Sequence, residues 1–209
     1  MDKEVAVEAL LLPIGHDLGG LYAEGTQRRQ QVRAGVDLAE LTGAEAGVWL
    51  LAHGIDDRDR PTRDSVVKEA TRFGIDAEEA DEIVDRLLAD RLLAAVDPDG
   101  DSAVDFAERH QLVPLLLGLG PDPEQPWMQS IGTISQPVVQ VSTAVYDVWS
   151  WTHLAPHLWA GCHDAAEVAR SVGVTTPDES EPRGVLTGVL SAVHGLLSAR
   201  AVYFDRRTT

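Results

Sequence analysis

Leu87-Leu88-Ala89-Asp90-Arg91 returns in the second half of the chain as Leu196-Leu197-Ser198-Ala199-Arg200, and this recurrence sets how everything else divides. Earlier landmarks recur in the same order. Leu11, Pro13, Leu18 and Gly19 match Leu112, Pro114, Leu119 and Gly120; Val48-Trp49 matches Val148-Trp149; His53 matches His153 and Asp64 matches Asp164. The offset grows towards the end, which an insertion around Pro177 to Pro182 explains. Ordered self-similarity of this kind marks a tandem duplication, each copy being one supersecondary unit. The expected domains are residues 1–106 and 107–209.

Within the first unit, an extended segment over Val32 to Leu38 precedes Thr42, which caps a helix carrying Glu45 at the capping-box position and running to Gly54. A second helix is expected from Asp64 to Gly74, a residue suited to a left-handed C-terminus. Asp76, with Glu79 three residues on, opens a third, whose stripe Ala80, Ile83, Val84, Leu87, Leu88 has helical spacing. Leu92 to Val96, the turn Asp97-Pro98-Asp99-Gly100 and Ala103 to Phe106 then spell a hairpin. The second unit repeats the pattern, with helices opening at Ser142 and Asp164, a third over Val185 to Leu197, and a strand over Ala201 to Phe204.

Three helices followed by a two-stranded wing, joined through Leu87 to Leu93, resembles the winged-helix fold over most of residues 30–106 and 130–205. The fold class implied is mainly α with small β wings (α+β), two winged-helix-like units in tandem. Bacterial proteins of that build include MarR-like regulators, acidic accessory subunits similar to segregation and condensation protein B, and leader-peptide recognition modules. The resemblance is one of architecture and does not choose among them.

The composition, 44% hydrophobic and 24% charged over 209 residues, is that of a globular chain. Seventeen Lys and Arg against 34 Asp and Glu leave a net charge of -17, which repels phosphate backbones and anionic lipid. Cys162 is the single cysteine, so no internal disulfide forms and a reducing, cytoplasmic setting is expected. The start is acidic, its apolar run is broken by Glu8 and Pro13, and nowhere do 18 apolar residues run together, so neither a signal peptide nor a membrane span is expected.

A DNA-reading winged helix needs bases on its third helix and wing. Between Asp76 and Asp105 there are instead eleven acids and two bases, so nucleic acid is disfavoured. Glu78, Glu79, Glu82, Asp85 and Asp99 are the expected surface for a protein or peptide with a basic segment. Trp151 and Trp159, which have no counterparts in the first unit, are further partner-binding candidates. The alternative is a transcription regulator whose Arg28, Arg29 and Arg33 contact DNA as a homodimer.

Two metal readings also arise. Asp97, Asp99, Asp101, Asp105 and Glu108 fall at EF-hand loop positions, although Ser102 stands where that loop needs Gly. His153, His157, Cys162 and His163 are zinc-capable side chains, but Pro156 spoils their helical spacing. No phosphate loop, nucleophile elbow or Cys-x-x-Cys is present. The chain is therefore expected to be a non-enzymatic adaptor or accessory subunit without a cofactor or metal.

Overall fold

Leu10, Leu11 and Leu12 are buried, and they form β1 (Leu10–Pro13), the first element of the computed structural model, which describes residues 9–21, 29–56 and 60–207. An antiparallel meander follows, with β2 (His16–Leu21), β3 (Arg29–Ala34) and β4 (Asp37–Leu41) side by side in that order. Thr42 caps α1 (Gly43–Leu51): its hydroxyl accepts from the Glu45 N–H while the Glu45 carboxylate accepts from the Thr42 N–H. Thr62 and Asp76 cap α2 (Arg63–Arg72) and α3 (Ala77–Ala89). The round closes with β5 (Leu93–Val96), which pairs antiparallel to β1 with Leu10 opposite Val96.

After α4 (Asp101–Arg109) the same succession begins again with β6 (His110–Pro114). A second meander, β7 (Leu117–Pro121), β8 (Met128–Thr133) and β9 (Gln136–Ser142), leads to α5 (Thr143–Trp151), capped by Ser142. A 3-10 turn at Thr152–Leu154 precedes α6 (Leu158–Ser171), the short α7 (Pro177–Ser180) and α8 (Pro182–Ser198). Finally β10 (Val202–Arg206) pairs antiparallel to β6, as β5 does to β1.

The quoted pentapeptides are matching helix ends. Arg91 and Arg200 take left-handed φ values of 57° and 55°. Leu92 N–H donates to Leu87 O and Arg91 N–H to Leu88 O; Ala201 donates to Leu196 and Arg200 to Leu197 in the same way. This is the Schellman termination, which satisfies the last carbonyls and turns the chain into the following strand. Trp49 and Trp149 also occupy like places, on α1 and α5, and donate Nε1–H to Leu92 O at 3.1 Å and Ala201 O at 3.2 Å.

A mainly-α tandem of winged-helix units is not what forms: about 47% of the described residues are helix and 29% strand, and among them there are four small antiparallel sheets. The expected hairpin is absent. Its first half is β5, which pairs with β1, and residues 103–106 lie in α4, where Ala103, Phe106 and Ala107 are buried at helical spacing. The expected Val32 to Leu38 strand divides between β3 and β4 around Gly35. α6 begins at Leu158, capped by His157 Nδ1, so Asp164 lies inside it rather than at its start. Among the described residues no helix is long and apolar enough to cross a membrane.

Both rounds share one continuous core. β10 lies against the first round through a parallel bridge between Ile14 and Phe204, and the Gly15 N–H donates to Phe204 O at 2.7 Å. Arg33 donates to the Asp205 carboxylate at 2.9 Å and to the Tyr203 hydroxyl at 2.8 Å, while His194 Nε2 donates to Leu11 O at 3.1 Å.

Gly15 makes this seam possible. Its φ is +107°, and an added Cβ would sit 2.6 Å from Val32 Cγ1 and 2.8 Å from the Arg33 carbonyl oxygen, on a strand paired along both sides. Gly15→Ala is expected to cost about 2–5 kcal/mol, combining left-handed strain with overpacking. Gly120→Ala, at φ +83° with nothing within 4 Å, should cost only the conformational part, about 1–2 kcal/mol. Urea denaturation of the two variants measures the difference.

Candidate functional site

β9 is an edge strand among the described residues, so one row of its backbone N–H and C=O groups has no strand partner among them. Beside it runs α8, and between the two lies an open groove of about 870 Å³. The helix side is made of Ala192, Gly195, Ser198 and Ala199; the strand side includes Val139 and Val141, continued by Val145 of α5. Ile55 from the first round stands at the rim and is exposed. Among the described residues that line it, none is charged.

The duplication explains why this groove is open. Aligning the two Schellman ends places Gly195 where α3 carries Arg86, and aligning the helix caps places Val145 where α1 carries Glu45. In the first round those two side chains meet at 3.1 Å and tie α3 to α1. In the second round the bridge is replaced by a glycine and a valine, which leave space with apolar walls. Glycine inside a helix costs roughly 0.8–1.0 kcal/mol relative to alanine. The sequence reading missed this site because the groove depends on β9, a strand that is exposed at five of its seven positions and shows weak alternation.

The acidic candidates lie elsewhere, on α3 and the turn after β5. Glu78, Glu79 and Glu82 are exposed, and no ion pair among the described residues involves them. Glu78 and Glu79 stand in the first turn of α3, where acids favour the helix dipole. Asp85 is engaged: with Asp81 it clamps Arg63, at 2.6 and 2.7 Å, and the guanidinium holds both carboxyls below their usual pKa. Asp99 is exposed, and its carbonyl accepts from Arg183.

Trp151 is 67% exposed, next to Leu154 at 68%. Trp159 is half-buried at the edge of the core, edge-on to His163 at 4.7 Å. The two tryptophans therefore do not form one equal pair of anchors. Of the three arginines in the DNA alternative, Arg28 lies outside the described residues, Arg29 is exposed on β3, and Arg33 is committed to Asp205 and Tyr203.

The residues of the EF-hand candidate divide between a turn and α4. Asp101, Asp105 and Glu108 are on a helix rather than wrapped in a loop with Asp97 and Asp99, whose own carboxylate and N–H form a local turn. Among the described residues no group of three or more His, Cys, Asp and Glu could hold a metal ion, the His153, His157, Cys162 and His163 set included. His157 Nδ1 accepts from Ala160 N–H instead, and burial pushes the Cys162 thiol up to about 12. Compared with known proteins, the chain matches no family model, no curated protein and no solved structure.

Proposed function

We propose that this is a non-enzymatic peptide-binding protein that takes up an extended segment along β9, as a fourth strand of the β7-β8-β9 sheet. The observation that carries this reading is the groove of about 870 Å³ between an open sheet edge and a helix face of small residues, lined among the described residues by uncharged side chains. Strand addition draws affinity from main-chain hydrogen bonds and specificity from pockets for alternate side chains. Here one set of alternate side chains would enter between β9 and α8, where Gly195 and Ala192 leave room for large apolar groups.

The occupant is a segment with apolar residues at alternate positions and basic flanks. A net charge of -17 supports the flanks, since complementary potentials speed encounter and reject wrong partners. Glu78, Glu79 and Glu82 act in this reading as steering charge outside the groove.

The test uses a labelled synthetic peptide of alternating Leu and Thr with Lys pairs at both ends, followed by fluorescence anisotropy. Binding by the wild type should weaken as salt rises. Gly195→Arg combined with Val145→Glu installs the first round's bridge and should reduce affinity about tenfold or more, a loss of at least about 1.4 kcal/mol. Reversing Glu78, Glu79 and Glu82 to Lys should slow association and leave dissociation nearly unchanged. Equal binding by the bridged variant, or none by the wild type, would remove the groove as the peptide site.

A further inference from the structure

Given the peptide reading of β9, we infer that the first round holds the same strand-accepting site, shut by the ion pair between Glu45 and Arg86, so that each chain takes one segment and takes it in the second round. The two rounds match in geometry. β4 ends the β2-β3-β4 meander as β9 ends β7-β8-β9, and among the described residues both strands are edges. Each runs through a capping residue, Thr42 or Ser142, into the next helix. α3 and α8 then supply the facing walls and end in matching Schellman turns.

What differs is the filling. Arg86 reaches from α3 to Glu45 at 3.1 Å, and the other oxygen of that carboxylate accepts from the Thr42 N–H at 2.8 Å. The cap therefore fixes the anion that the guanidinium meets. Ile83, buried, stands where α8 has Ala192. These three side chains occupy the places of Val145, Ala192 and Gly195, all of which line the second round's groove. With Arg86 53% exposed, the ion pair adds little to stability. Its effect is to close the trough, since an apolar side chain entering beside β4 would have to displace and desolvate charged groups.

The strand is guarded in the same sense. With the caps aligned, β4 has Asp37 and Glu40 where β9 has Pro137 and Gln140, and both acids are exposed. Charged side chains on an edge discourage the addition of another strand, and β9 carries none. Asp37 pairs with Arg206 at 3.3 Å, and Glu40 accepts from the Gln31 side chain at 3.4 Å. Once unlocked, the first round would therefore favour a segment with Lys or Arg among its outward side chains.

Glu45→Val with Arg86→Gly opens the first round. Glu45→Gln with Arg86→Gly is the second version, because glutamine keeps the capping box should valine unsettle α1. Isothermal titration calorimetry with the Leu-Thr peptide counts the sites, and Nile red, a neutral apolar dye, reports the troughs with no peptide present. The wild type should bind one peptide per chain and the opened variants about two, with dye fluorescence roughly doubled. Adding Gly195→Arg and Val145→Glu to an opened variant should return the count to one, now on the first round. If the wild type binds peptide, a count of two for it, or of one for both opened variants, overturns the inference. If the wild type binds none, the peptide reading falls and the dye decides: a rise in the opened variants supports the lock, and unchanged fluorescence overturns it.

Discussion

Trp49→Ala should lower the unfolding free energy by about 3–5 kcal/mol, and Trp149→Ala by a somewhat smaller amount in the same range. Trp49 is fully buried and stands edge-on to His53 at 4.5 Å. Trp149 is 5% exposed and tilts against Tyr146 at 5.4 Å. Neither truncation strands a backbone carbonyl, because Leu92 O also accepts from Ile14 N–H and Ala201 O from Leu115 N–H. The cost is therefore mainly lost packing and cavity formation. Since one core spans both rounds, each variant should still unfold in a single transition. Urea denaturation followed by circular dichroism and by fluorescence checks this, and two separated transitions would show that the rounds fold independently.

Acid should destabilise the protein through His53. Its folded pKa is about 3, lowered by burial, against about 6.5 when unfolded. Below pH 6.5 the unfolded chain binds a proton here that the folded chain refuses. Stability from this group is complete above pH 6.5 and falls as pH drops towards 3, by about 1.4 kcal/mol per pH unit. Between pH 6.5 and 4.5 the loss is on the order of 2–3 kcal/mol. The His110 pKa is likewise lowered by burial, which adds a contribution of the same sign. His53→Gln should be less stable at pH 7, having lost the fitted ring, yet lose less on acidification. Parallel stability profiles for wild type and variant from pH 7 to 4.5 would show that another group controls the acid limb.

What could be read from sequence alone is what depends on neighbours along the chain. Thr42, Asp76 and Ser142 were legible as helix caps because a cap is completed within three residues, and Leu87 to Arg91 and Leu196 to Arg200 marked matching helix ends for the same reason. The charge balance was legible too, and the acids of α3 are exposed. Strand pairing was not. Nothing local tells Leu92 to Val96 to pair with β1 across some eighty residues rather than with the segment just beyond the turn, and Ala103 to Phe106 satisfies a strand period and a helix period equally until Phe106 and Ala107 find the core.

The sites belong to tertiary structure for the same reason. Gly195 and Val145 are unremarked in sequence and become a groove only when α8 and β9 lie side by side. Arg91 and Arg200 end their helices alike, but Arg200 alone of the two lines a pocket at the seam between the rounds, because β10 docks against β1 and β2 and carries it towards Asp17. Caps and helix ends are short-range chemistry that the order of residues determines; an open edge and an unfilled trough exist only between surfaces that folding brings together.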